Sequence, residues 1–100
     1  MANTKETANL GKWGRLHYDY LYRNNRTVIN AMRLKGTLQA YFEQFDADMQ
    51  DSFEKLVKRT AEVENVTEEL KASDQMEWVR KMNGIRNRAE EVILNEIIYR

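Results

Sequence analysis

The chain has 100 residues, no cysteine, no proline and only four glycines, and its 16 basic residues balance 16 acidic ones. Without cysteine there is no disulfide framework and no zinc site built on thiolates. A neutral total argues against a general nucleic-acid coat, though charge gathered locally still makes a binding face. No apolar run approaches the roughly 20 residues of a membrane-spanning helix. The opening MANTKETANLGKWG carries no apolar signal segment, so a cytoplasmic location is expected.

Helix breakers are few, and Glu, Lys, Arg, Leu, Gln, Met and Ala are abundant. These residues favour helix. The expected fold is therefore all-α: a small single-domain helical bundle of about four to six helices, ending in a long C-terminal helix. Residues 1–9 are expected to be a flexible N-terminus and residues 10–100 the helical domain.

Gly11 to Arg23 places Trp13, Leu16, Tyr20 and Leu21 on one helical face. Tyr18, Tyr20 and Tyr22 alternate as in a strand, but no partner strand follows, so a helix is preferred. Asn24 or Asn25 can cap the next helix with its side-chain oxygen. That helix runs through Val28, Ile29, Met32 and Leu34 to a C-terminal glycine, Gly36. Thr37 opens a segment with Leu38, Tyr41, Phe42 and Phe45 on its apolar face. Asp46 or Asp48 then caps a longer helix reaching about Val63, with Met49, Phe53, Leu56, Val57 and Thr60 inward. Asn65 stops it, and Thr67 caps a short turn containing Leu70. Asp74 with Glu77 fits a capping box that opens the final helix, Asp74 to Ile98. Trp78, Val79, Met82, Ile85, Ala89, Val92, Ile93 and Ile97 share one arc of it, wide enough for a core face. Arg86 and Glu96 fall inside that arc. Each is therefore paired, or marks where the stripe meets solvent or a partner. Gly84 lies on the opposite face, where it only weakens the helix modestly.

Charge is segregated along the chain. Lys12 to Lys35 holds six basic residues against Asp19 alone, and Glu43 to Glu77 holds eleven acids against four bases. Trp78 to Arg88 then carries Arg80, Lys81, Arg86 and Arg88 with no acid. His17 is the single histidine and makes no recognisable metal site; it is read as a surface or boundary histidine. Neighbouring carboxylates such as Glu62 with Glu64, and Glu68 with Glu69, look like solvated helix rather than a catalytic pair set apart in pKa. No phosphate loop or nucleophile motif is present. An enzyme, a metal centre and a cofactor are all unexpected.

Three stretches, LGKWGRLHYDYL, FEKLVKRTAEVENVTEELKA and QMEWVRKMNGIRNRAEEVILNEIIY, occur in that order. In them the chain resembles the TnpV family, small proteins encoded by bacterial transposons and related elements. The resemblance spans about Leu10 to Tyr99. Its motif residues include Trp13, Gly14, Trp78, Val79, Arg80, Met82 and Arg86. It implies a protein carried by a mobile element, and it supplies no catalytic residues.

Two functions are weighed. In the first, a non-catalytic accessory protein binds a macromolecular partner, a nuclease or recombinase, and inhibits a host defence nuclease in the manner of an anti-CRISPR protein. Its acidic helical face would be Asp48, Asp51, Glu54, Glu62, Glu64, Glu68 and Glu69, with carboxylates imitating a phosphate backbone. In the second, the chain is a DNA-binding, excisionase-like factor. Arg15, Arg23, Arg26, Arg33, Lys35, Arg80, Lys81 and Arg88 would contact phosphates, and Trp13, His17, Tyr18, Tyr20 and Tyr22 would stack on bases. The plainer reading makes those aromatics a core edge and Arg80, Lys81 and Arg88 partners of the acidic block. Self-association into a homodimer through the last helix is a further expectation, resting on Arg86 and Glu96.

Overall fold

The computed structural model describes residues 9–95. The expected frayed N-terminus, Glu96, Ile97 and the end of the last helix at Ile98 lie outside them. The fold is all-α. Five helices follow in order: α1 Lys12–Asn24, α2 Arg26–Lys35, α3 Leu38–Val63, α4 Glu68–Ser73 and α5 Gln75–Ile93. No strand occurs among the described residues. Among them, too, no helix is long and apolar enough to cross a membrane.

The ends of these helices follow from local chemistry. Gly36 adopts a left-handed conformation, φ 72°. Its N–H donates to the Arg33 carbonyl, and the Thr37 N–H reaches the Met32 carbonyl. This is a Schellman cap, which satisfies carbonyls the helix leaves orphaned. Asn65 repeats it at the end of α3 with φ 58°: its N–H donates to Glu62, and the Val66 N–H to Ala61 at 2.8 Å. The Thr67 side chain accepts the Leu70 N–H and opens α4. Asp74 accepts the Glu77 N–H and opens α5. The reciprocal arm of that capping box is not made, because the Asp74 N–H donates to the Leu70 carbonyl.

Two expectations are corrected. Asn25 joins α1 to α2 but makes no side-chain cap; its N–H closes α1 on the Leu21 carbonyl at 2.7 Å and its own carbonyl accepts from Val28. Neither Asp46 nor Asp48 starts a helix, since Leu38–Val63 is one continuous helix of 26 residues. No glycine or proline interrupts that stretch, and both carboxylates are occupied elsewhere. Asp48 accepts from Gln44 one turn back, and Asp46 accepts from the Gly14 backbone.

The described chain divides into two compact units, residues 9–50 and 51–95. In the first, Leu10, Tyr18, Ile29, Leu38 and Phe42 form a buried cluster with Leu21, Tyr22 and Met32 against it. In the second, Val57, Ala61, Val66, Ile85 and Ala89 are buried, with Phe53, Leu56, Leu70, Trp78 and Met82 against them. The expected arc of α5 is thus its inner face. Val79 and Val92, at its two edges, remain 40% and 41% exposed. Arg86 is exposed beside Val79, so the stripe meets solvent there. Gly84 faces open space.

Candidate functional site

Six of the seven acids expected to form a face, Asp51, Glu54, Glu62, Glu64, Glu68 and Glu69, lie in the second unit, and Asp48 lies in the first. All seven are exposed. Along α3, however, Asp51, Glu54 and Glu62 alternate with Lys55, Lys58 and Arg59, and Lys55 pairs with Asp51 at 2.9 Å. That stretch is locally neutral. The acidic excess gathers further on: from Glu62 to Glu77 there are six carboxylates and one cation, Lys71. They occupy the last turn of α3, all of α4 and the first turn of α5. Glu68, Glu69 and Glu77 sit in the first turns of their helices, where the helix dipole favours negative charge.

Part of this excess is neutralised within the unit. Both oxygens of Glu64 accept from the Arg88 guanidinium, at 2.8 and 3.0 Å. The hydrogen bond from Arg88 is the main reason the Glu64 carboxyl is held below its ordinary pKa, and the same bond raises Arg88. Glu77 takes Arg80, with Lys81 3.7 Å away. The basic flank of α5 therefore supplies internal partners to the acidic segment. Glu62, Glu68 and Glu69 make no ion pair among the described residues. In the chain they flank Val66, which is buried, and Leu70, which packs on the same core.

The cations of α1 and α2 have different surroundings. Arg15 donates to the Leu10 carbonyl. Arg26 donates to the Tyr22 carbonyl and lies 4.3 Å from that ring. Arg33 donates to Asn30 and to the Tyr18 hydroxyl. Arg23 and Lys35 are exposed. These five lie in the first unit, whereas Arg80, Lys81 and Arg88 belong to the second. One residue separates α1 from α2 and two separate α2 from α3. Neither connector is the three- to four-residue turn of a helix-turn-helix.

The aromatic group near the N-terminus is largely interior. Trp13 and Tyr18 are buried, and His17 is half-buried, stacked on Phe45 at 4.0 Å between ring centres. Its Nε2 lies 3.0 Å from the Tyr41 hydroxyl, and its Nδ1 is buried with no partner. Burial lowers its pKa and raises that of Tyr41. With Tyr20 and Tyr22 half-buried, the group lies at an edge of the first unit's core.

Sequence reasoning missed Asp46 and Gln50. Gly11, at the N-cap of α1, offers no side chain, and Asp46 supplies the missing acceptor from 32 residues away: its Oδ1 takes the Gly14 N–H at 2.8 Å. Gln50 takes the Trp13 indole N–H at 3.0 Å. A Cβ on Gly14 would stand 2.9 Å from Asp46 Cβ and from the Phe42 carbonyl oxygen, so only glycine allows this approach. One signal was available. On a continuous helix Asp46 falls on the same arc as Phe42, Met49 and Phe53, where an unsatisfied acid would be costly.

Of the residues that carry the family resemblance, Trp13 and Gly14 are thereby accounted for by packing, and Trp78 and Met82 by the second core. The model of the family described as transposon-encoded protein TnpV matches residues 1–98. The chain belongs to the TnpV family. No curated protein matches it, and no solved structure does. Among the described residues of this TnpV-family chain, no group of three or more His, Cys, Asp or Glu side chains is placed to hold a metal ion.

Proposed function

We propose that this TnpV-family chain is a non-catalytic accessory protein of a bacterial mobile element, acting in the cytoplasm by binding a protein partner through the acidic segment of its second unit. The observation that carries the reading is that Glu62, Glu68 and Glu69 are exposed and without ion pairs among the described residues, in the segment that holds the Asn65, Thr67 and Asp74 caps. Exposed carboxylates close together in the chain resemble a run of phosphates in charge. They suit the basic channel of a nuclease or recombinase, where charge complementarity sets encounter rate and specificity. A host defence nuclease fits that chemistry.

The reading rests on Glu62, Glu68 and Glu69 rather than on the whole acidic face. Asp51 and Glu64 are engaged by Lys55 and Arg88, so altering them also disturbs internal pairs. The triple change Glu62→Gln, Glu68→Gln, Glu69→Gln removes charge while keeping shape. The test is an affinity capture from bacterial lysate with and without nuclease digestion, followed by binding to the purified partner in competition with DNA. A nuclease or recombinase that survives digestion, is displaced by DNA and is lost with the triple variant supports the reading. Unchanged capture by the triple variant would sink it.

A further inference from the structure

The left-handed turn at Gly36, closed by the Thr37 N–H on the Met32 carbonyl at 3.0 Å, sets Met32 close to the start of α3. An open groove of about 730 Å³ lies there. Residues four apart on a helix are neighbours on its surface, and two such rows line the groove. Thr37, Tyr41 and Phe45 form one row, and Ala40, Gln44 and Asp48 form the other, with Met32 on the α2 side. Every one of these residues belongs to the first unit.

The lining is mainly apolar and carries one charge. Met32, Ala40, Tyr41 and Phe45 supply apolar wall, whereas Thr37 and Gln44 are polar and neutral. Among the described residues no cation lines the groove. Asp48 is exposed, and one of its carboxylate oxygens accepts from the Gln44 amide at 2.9 Å. That amide is neutral, so it orients the carboxylate without cancelling its charge. The Tyr41 and Phe45 rings are 28° from parallel, with centres 6.3 Å apart. His17 holds both: it stacks on Phe45, and its Nε2 lies 3.0 Å from the Tyr41 hydroxyl. Walls already held in place lose less freedom when a ligand arrives.

A mostly apolar groove of this size with a few placed polar groups has the form of a small-molecule site. Charge complementarity selects the ligand. Aromatic faces attract a cation within about 6 Å of the ring centre, and a carboxylate attracts it too, while an anion is repelled by that carboxylate. Asp48 stands three residues beyond Phe45, about 4.5 Å of helix rise. An ammonium held at Asp48 is therefore within reach of the Phe45 ring, and an apolar body attached to it can lie along Tyr41 and Met32. We infer that this groove binds a small organic ammonium ion with an aromatic or branched alkyl body: Asp48 pairs with the charge, and Phe45 and Tyr41 cover it. The inference stands on the first unit alone and survives or fails independently of Glu62, Glu68 and Glu69.

The test titrates the full chain, labelled with nitrogen-15, and follows its backbone amides by NMR. The probe is benzyltrimethylammonium, and phenylacetate serves as its anionic counterpart. Saturable shifts are expected at Tyr41, Gln44, Phe45 and Asp48 with the cation, and none with the anion. Asp48→Asn keeps the size of the side chain and an acceptor for Gln44. It is expected to weaken the cation at least about threefold, the scale of one exposed ion pair. Tyr41→Leu is expected to weaken it about two- to fivefold through loss of the ring. Both positions are exposed, and an unchanged amide spectrum away from the groove shows that each variant keeps the fold. Absence of saturable shifts over residues 37–48 overturns the proposal. Equal binding of phenylacetate overturns it as well, as does an affinity untouched by Asp48→Asn. Shifts confined to Glu62, Glu68 and Glu69 overturn it in favour of simple attraction to the acidic segment.

Discussion

A carboxylate placed among Phe42, Met49 and Phe53 needs a donor, and Asp46 finds one in the Gly14 N–H at the exposed start of a distant helix. The bond satisfies one of the four N–H groups that every helix leaves unpaired, and it brings negative charge to the positive end of the dipole. Asp46→Ala is expected to lower stability by about 1–2 kcal/mol, the range for losing a capping side chain, read from the midpoint of urea unfolding. Gly14→Ala is expected to cost about 1–3 kcal/mol through overpacking, because the Phe42 carbonyl is backbone and cannot swing aside. His17 gives a prediction about pH. Its folded pKa lies below the usual 6.5 because of burial, so as pH falls the unfolded chain takes up the proton first. The stability that comes from keeping the ring neutral is complete above about pH 6.5 and is lost as pH falls from there through the folded pKa. The thermal midpoint should fall over that window, and His17→Phe should flatten that part of the profile. An identical pH profile in the variant would show that His17 is not responsible.

At the scale of elements, two glycines in helical surroundings have opposite roles. Gly36 sits at a left-handed cap and Gly84 in open space on the outer face of α5. Gly36→Ala is expected to destabilise by about 1 kcal/mol because a Cβ opposes positive φ. Gly84→Ala is expected to stabilise by about 0.5–1 kcal/mol by restricting the unfolded chain and improving helix propensity. Paired urea titrations check the contrast in sign. The continuity of α3 belongs to the same scale. Aspartate followed by apolar residues reads as a helix start when the chain is scanned locally. A helix already running through Ala40 to Phe45 needs no second start, and its aspartates become free to serve other segments.

At the scale of the whole molecule, zero formal charge hides a cationic pair of helices and an anionic segment. Copies of such a chain attract one another through oppositely charged surfaces when screening is weak. Sedimentation velocity at low ionic strength near pH 6.6, the sequence isoelectric point, should show reversible association. Raising salt to about 0.15 M, where the Debye length is about 8 Å, should disperse it. Association that persists in salt would instead point to an apolar contact, and Val79 and Val92 at the edges of the α5 stripe would be the first positions to change.

Much of this protein is legible in its sequence because the deciding interactions are local. A proline-free chain with helical periodicity makes helices, Gly36 and Asn65 end them, and Thr67 and Asp74 begin them. Each of these rests on contacts within about five residues. The neutral sum of a charged chain, the segregation of its charge and the family resemblance are equally linear properties. Tertiary structure alone decided which charges remain outward. Arg88 closes on Glu64 across 24 positions and Asp46 on Gly14 across 32, pairings that no spacing in the chain encodes. Those long-range bonds neutralise Glu64 and Arg88 and turn Trp13 and Gly14 into packing residues. They leave Glu62, Glu68 and Glu69 exposed and without an ion pair among the described residues. The physical reason is distance. Helix propensity and capping act along the chain, whereas neutralisation depends on which side chains folding brings within about 3 Å of one another.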